Sequence, residues 1–110
     1  MFIDGGWSQQ NGGQMAKRTA TSTSYTALQT DYIIGVTSTA AARTITLPAA
    51  ATVGAGWTYI IKDESGGAGT NNIIVDGNGA ETIDGAATQA INTNYGSMNL
   101  YCDGSNWFIT

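Results

Sequence analysis

The chain has 110 residues, of which 42% are hydrophobic and 11% are charged, and its formal net charge at pH 7 is −4. This length allows one domain, and the acidic balance argues against a nucleic-acid-binding protein, which needs a basic face. Histidine is absent from the sequence, which excludes Ser-His-Asp and Cys-His catalytic sites. We therefore expect a protein that is not an enzyme and that needs neither a cofactor nor a metal ion.

Residues 1–24 form a first segment that is rich in glycine, asparagine and glutamine but carries large apolar side chains. Aromatic residues in a flexible, extended segment of this kind are typical of anchors that fold onto a partner. We therefore predict a docking segment over 1–24, and the open alternative is a disordered, tag-like terminus. The candidate docking residues are Phe2, Ile3, Trp7, Lys17 and Arg18.

Residues 25–110 form a β-rich module in which short apolar runs alternate with turns of glycine, asparagine and aspartate. This pattern predicts an all-β fold, an antiparallel meander or sandwich. The predicted strands cover 25–28, 32–36, 43–47, 57–63, 72–76, 81–84, 87–92, 98–103 and 107–110. Proline at the start and glycine at the end of Pro48–Gly54 predict one short helical turn. Asp103–Asn106 predicts a hairpin connection.

Large aliphatic side chains are scarce, because alanine supplies much of the hydrophobic fraction. Burying alanine stabilises a fold far less than the roughly 1.5–3 kcal/mol gained from a large aliphatic side chain. Cys102 is the only cysteine, so the chain cannot form an intrachain disulfide, and we expect it to be a small buried strand residue. We therefore expect identical chains to associate and complete the core between them. The residues expected in the core or interface are Ile60, Ile73, Val75, Leu100 and Trp107.

Acidic residues at a few places in the module resemble parts of functional sites. Asp63 with Glu64, or Glu81 with Asp84, could form the carboxylate pair of a glycosidase. Adjacent strand residues point to opposite faces, which argues against Asp63 and Glu64 acting together. Asp76–Glu81 offers closely spaced oxygen donors, yet it lacks the spacing of an EF-hand calcium loop. We expect an Asx-Gly turn there.

Four aromatic residues have two interpretations, which the sequence leaves open: Trp57, Tyr95, Tyr101 and Trp107. Aromatic rings flanked by asparagine and aspartate can stack on sugar rings. More often, such side chains fill a core or a subunit interface, and we favour that interpretation.

Several short motifs follow one another through the module: Thr30–Val36, Arg43–Pro48, Ile60–Gly66, Thr70–Ile73, Glu81–Gly85, Ile91–Ser97 and Asp103–Trp107. This series, spanning roughly Tyr25 to Thr110, resembles a module that recurs in structural proteins of tailed bacteriophages. The resemblance implies a trimeric protein of a tail fibre or another part of the virion surface.

The resemblance also sets our expectations for function. The chain contains this module without a long shaft or a separate receptor-binding tip, which favours a homotrimeric decoration, head-fibre or fibre-knob protein. Its partners would be its own copies and other capsid or tail proteins, bound through the N-terminal segment. The alternative is a receptor-recognition module of a tail fibre that binds host glycans. The sequence shows neither a signal peptide nor a membrane-spanning run, so we expect synthesis in the host cytoplasm and location in the virion.

Overall fold

The computed structural model describes residues 14–110, which fold into two β-sheets and one short helix. The elements in chain order are β1 (Arg18–Thr21), β2 (Tyr25–Thr26), β3 (Ile33–Val36), β4 (Arg43–Thr46), α1 (Ala50–Val53), β5 (Thr58–Asp63), β6 (Ile73–Asp76), β7 (Thr88–Ile91), β8 (Ser97–Cys102) and β9 (Trp107–Ile109). One sheet has the order β1-β3-β5-β8-β9, and the other has the order β2-β4-β6-β7.

The first six strands alternate between the two sheets. In the five-stranded sheet β1, β3 and β5 are parallel neighbours, and in the four-stranded sheet β2, β4 and β6 are parallel neighbours. The chain therefore winds as the coils of a short solenoid, and each coil adds one strand to each sheet. The last three strands, β7, β8 and β9, pair antiparallel with their neighbours and end the winding.

The prediction of a purely antiparallel meander is wrong, although the prediction of a β-rich fold is confirmed. Glycine and asparagine mark where a strand ends, but they do not indicate whether the next strand returns to the same sheet or crosses to the other one. Parallel neighbours need a crossover connection, and here the strand of the opposite sheet supplies it. The predicted strand at 81–84 is reduced to isolated bridges at Ile83.

Three local predictions are confirmed. Helix α1 lies within the predicted helical turn, and Gly54, at φ 93°, caps its C-terminus. The turn at Asp103–Asn106 joins β8 to β9, which pair as an antiparallel hairpin. Cys102 is buried in β8.

The core lies between the sheets and is built by alternation along each strand. In β5 the odd-numbered residues Tyr59 and Ile61 are buried, whereas Ile60 lies on the outward face. The same alternation buries Ile73 and Val75 in β6. Residues of both sheets belong to one continuous apolar cluster, which also contains the predicted core residues Leu100 and Trp107. A single chain therefore encloses most of the large side chains in a core of its own.

Adjacent isoleucines in β6 test this alternation. Ile73→Ala should lower the free energy of unfolding by about 2–4 kcal/mol, because it leaves a cavity in the core. Ile74→Ala should cost about 1 kcal/mol or less, because this side chain faces outward and is half-buried. Urea denaturation followed by circular dichroism measures both values, and equal losses would contradict the assigned faces.

Candidate functional site

A buried carboxylate organises the loops beside β5 and β8. Asp63, the last residue of β5, is fully buried. Its Oδ1 accepts hydrogen bonds from the backbone N–H groups of Ser65 and Gly66, both at 3.0 Å, and from the Ser65 hydroxyl at 2.6 Å. Its Oδ2 accepts the N–H groups of Ala68 and Tyr95, both at 3.0 Å. One side chain therefore ties the loop after β5 to the loop before β8.

The hydrogen bonds of Asp63 decide its charge state. Burial is the largest single influence and would raise the pKa of Asp63, but the hydrogen bonds from Ser65, Ala68, Tyr95 and Gly66 together outweigh it. The pKa falls from an ordinary value of 3.8 to about 2. The carboxylate is thus ionised at neutral pH, and its oxygens are occupied by the loops. This arrangement suits a structural anchor and does not suit a general acid.

Glu64, the next residue, lies on the opposite face of the sheet. Its carboxylate accepts hydrogen bonds from Arg18 Nε at 2.9 Å and from Arg18 Nη2 at 2.6 Å. The Glu64 carboxylate of this ion pair lies over Gly35, and a Cβ added at Gly35 would lie 2.1 Å from Glu64 Oε2. Asp63 and Glu64 therefore serve separate contacts and do not form a carboxylate pair.

Tyr95 is the most exposed large hydrophobic residue in the described part of the chain, at 61%. Its φ of 60° lies in the left-handed region, which non-glycine residues rarely adopt. The strained backbone is held by Asp63, which accepts the Tyr95 N–H, and by Lys62, whose Nζ donates to the Tyr95 carbonyl. Such strain is often stored at functional sites.

The ring of Tyr95 is placed directly over Gly66. A Cβ at Gly66 would lie 2.5 Å from Tyr95 Cζ, and the φ of Gly66 is 83°, so both the space and the backbone require glycine. The ring is thus supported from below while much of its surface remains open to solvent. It forms an exposed aromatic platform.

The other predicted aromatic site residues divide into two kinds. Trp57 and Trp107 are buried, at 7% and 0% exposure, and their indole N–H groups donate to the carbonyl of Gln29 at 3.1 Å and to Glu81 Oε1 at 3.3 Å. In this structure their rings therefore belong to the core. Tyr101 is 42% exposed and contacts Phe108, with ring centroids 5.6 Å apart.

The predicted docking residues lie partly beyond the described range. Phe2, Ile3 and Trp7 lie outside residues 14–110. The side chains of Lys17 and Arg18 are 47% and 53% exposed, and Lys17 Nζ lies 4.0 Å from Asp31 Oδ1. Within the segment predicted over 1–24, Arg18–Thr21 forms the edge strand β1 and pairs with β3.

Gln14 is an anchor that sequence reasoning missed. Its side chain is fully buried at the start of β5. The side-chain amide donates to the carbonyls of Asp31, at 2.8 Å, and Thr58, and its Oε1 accepts the Thr58 N–H at 3.2 Å. A glutamine in a glycine-rich run gives no signal of such a role. The chain is therefore fixed to the sheet from residue 14 onward.

Asp31 is a second buried carboxylate with a structural role that the sequence did not reveal. It is 1% exposed and accepts hydrogen bonds from the hydroxyls of Thr19 and Tyr25, both at 2.7 Å, and from the Leu28 N–H at 2.8 Å. Burial, followed by the hydrogen bond to Asp31, raises the pKa of Tyr25 to about 12. This carboxylate joins the first coil of the solenoid to the loop before β3.

Neither a metal centre nor a membrane-spanning helix is found in the part of the chain that the structure describes. Among residues 14–110, no group of three or more His, Cys, Asp or Glu residues could hold a metal ion. Within the same range, no helix is long and apolar enough to cross a membrane. Comparisons of the chain with protein-family models and with curated proteins found no match.

Asp63→Asn should lower the free energy of unfolding at pH 7 by about 2–3 kcal/mol, because an amide NH₂ cannot accept the loop N–H groups. The lowered pKa means that the ionised carboxylate stabilises the fold above pH 3.8 and that this contribution is lost as the pH falls towards 2. The stability of the variant should therefore change less over that interval, as measured by urea denaturation at several pH values.

Asp103→Asn is the matched control. Asp103 also accepts two backbone N–H groups, from Ser105 at 2.9 Å and Asn106 at 2.8 Å, but it is exposed at the hairpin. The free energy of unfolding should fall clearly less in Asp103→Asn than in Asp63→Asn. Equal losses for the two variants would show that burial does not make Asp63 special.

Proposed function

We propose that the chain is a non-enzymatic structural protein of a bacteriophage virion, a β-rich homotrimer that decorates the particle surface as a decoration, head-fibre or fibre-knob protein. It docks through its N-terminal segment to a capsid or tail protein. The protein is made in the host cytoplasm and acts in the virion.

One observation carries the proposal: the motifs behind the resemblance are also the parts that hold the fold together. The motif Ile60–Gly66 supplies Asp63, and the motif Ile91–Ser97 supplies Tyr95, whose N–H binds that carboxylate. The motif Asp103–Trp107 supplies the β8–β9 turn and a core tryptophan. The motif residues thus make contacts that hold the fold together, and the buried carboxylates bind backbone and hydroxyl groups of the same chain. Both observations support a structural role.

Deleting residues 1–13 should abolish binding to virus particles and leave the oligomer unchanged, because the anchoring side chains Phe2, Ile3 and Trp7 are removed. The deletion must stop before Gln14, whose side chain binds Asp31 and Thr58. Co-sedimentation of tagged protein with particles measures docking.

The triple variant Phe2→Ala, Ile3→Ala, Trp7→Ala keeps the length of the segment and should lose docking as well. Normal incorporation of the truncated protein would refute the docking role.

A second candidate function, recognition of a host-cell glycan, is favoured by one observation, the supported and exposed ring of Tyr95. A pyranose ring can stack on such a platform through its apolar C–H groups. With Trp57 and Trp107 buried, the exposed candidates for this role are Tyr95 and Tyr101.

Tyr95→Asn tests the glycan candidate, because asparagine tolerates the left-handed backbone while the ring is lost. Affinity for any glycan bound on an array should fall about ten-fold or more, which corresponds to about 1.4 kcal/mol. The control Leu28→Asn removes an exposed apolar side chain that is not a candidate for this role, and it should keep binding. Failure of the wild-type protein to bind any glycan would remove this candidate and leave the structural proposal standing.

A further inference from the structure

The connection between β6 and β7 contains a tight turn, and Asn78 and Gly79 lie at its exposed tip. The Glu81 N–H donates to the Asn78 carbonyl at 2.9 Å, which closes the turn, and Gly79 has a φ of 56°. Just before the turn, the Gly77 N–H donates to the carbonyl of Ala87 at 3.1 Å. The backbone is therefore held on both sides of a tip that faces solvent.

The side chain of Asn78 and the N–H group of Gly79 make no hydrogen bond with any of residues 14–110. Asparagine in a turn often binds a nearby backbone group through its side chain, and Asn78 does not. A Cβ built at Gly79 would have no heavy atom within 4 Å apart from its own chain neighbours, so the glycine is uncovered. The amide carbon of Asn78 and the backbone nitrogen that follows it are therefore both accessible and unengaged.

The other asparagines of the described range lack this combination. Each of them is followed by a residue larger than glycine, whose side chain hinders a close approach of the backbone nitrogen. Some are also held: Asn94 Oδ1 accepts the Gly69 N–H at 2.8 Å, and Asn106 Oδ1 accepts the Thr82 N–H at 3.0 Å. Asn11, which also precedes a glycine, lies outside residues 14–110.

We propose that the free amide of Asn78 and the free N–H of Gly79 make Asn78 a site of spontaneous deamidation, with water as the co-reactant. The Gly79 nitrogen forms a bond to Asn78 Cγ, and the Cγ–Nδ2 bond breaks, so that Nδ2 leaves as ammonia with the proton of the Gly79 N–H. Water then opens the resulting succinimide ring. Opening at Cγ gives aspartate, whereas opening at the main-chain carbonyl carbon gives isoaspartate, in which the main chain runs through Cβ and Cγ.

The modification changes a connection that is tied to the rest of the fold. Either product replaces a neutral amide with a carboxylate and adds one negative charge at the tip of the turn. In isoaspartate the main-chain carbonyl of Asn78 becomes that free carboxylate, so the turn that the Glu81 N–H closes must rearrange. The Glu81 carboxylate accepts the Ala50 N–H of α1 at 3.0 Å and Trp107 Nε1 at 3.3 Å. Deamidation therefore acts next to a residue that joins the turn to the helix and the core, and this holds whatever the function of the protein.

Asp103→Asn in the full-length chain adds a second Asn-Gly pair, before Gly104, and tests the proposal within one molecule. The side chain at position 103 is also exposed, but its oxygen accepts the N–H groups of Ser105 and Asn106, bonds that an amide oxygen can also accept. Incubation in neutral buffer, followed by peptide mapping with mass spectrometry, measures the conversion of each asparagine, and circular dichroism checks the fold. We expect conversion at Asn78 to be about ten-fold faster than at position 103. In urea, where the turns are lost, the two positions should react at similar rates.

Three results would overturn the proposal. The first is an Asn78 that stays intact in the wild type while a free peptide of the same local sequence is converted. The second is equal conversion at Asn78 and at position 103 in the folded variant, because the rate would then follow the residue pair and not the free groups. Should Asp103→Asn fail to fold, Gly79→Ala takes its place and should slow conversion at Asn78 about ten-fold, because the added methyl group hinders the attacking nitrogen. Unchanged conversion in that variant is the third.

Discussion

The buried carboxylate of Asp63 is the interaction on which the rest of this structure depends. The loops that it joins are rich in glycine and asparagine, and they contain few side chains that could hold them by apolar packing. Ordering such loops costs roughly 1–2 kcal/mol of backbone entropy per residue. A carboxylate that accepts five hydrogen bonds offsets part of that cost. It does so beside β5, the strand that connects the parallel and antiparallel parts of its sheet.

The same interaction links the fold to the candidate sites. Asp63 fixes the backbone of Tyr95, and the Gly66 that Asp63 also binds supports the tyrosine ring. Glu64 turns to the other face of the sheet and pairs with Arg18. Of these two adjacent acidic residues, Asp63 therefore holds its loops from the interior, whereas Glu64 forms its ion pair on the outer face of the sheet.

Patterns that depend on near neighbours could be predicted from the sequence. The alternation in β5, the proline and glycine around α1, and the turn before β9 are local signals, and the structure follows them. The parallel pairing could not be predicted in this way. Whether β3 lies beside β2 or beside β1 depends on contacts between distant residues, which a turn signal does not encode.

The candidate sites were harder to predict for a related reason. Tyr95 and Trp107 both follow asparagine, so their sequence surroundings look alike, yet one ring is 61% exposed and the other is fully buried. Gln14 carries no signature of burial, because its partners are backbone groups of distant segments, and the distant partner of Asp63, Tyr95, is likewise bound through a backbone N–H group. A hydrogen bond to a backbone group cannot be predicted from the type of the partner residue.

The winding of the chain has a consequence for how this body could change in length. Because β1 to β6 stack as successive coils, each coil contacts mainly the coil before and after it. A duplicated coil would extend both sheets together by about 4.8 Å, the spacing of neighbouring strands. The antiparallel strands that close the winding would keep their own partners. Such a body can grow by repetition while its closing end stays the same.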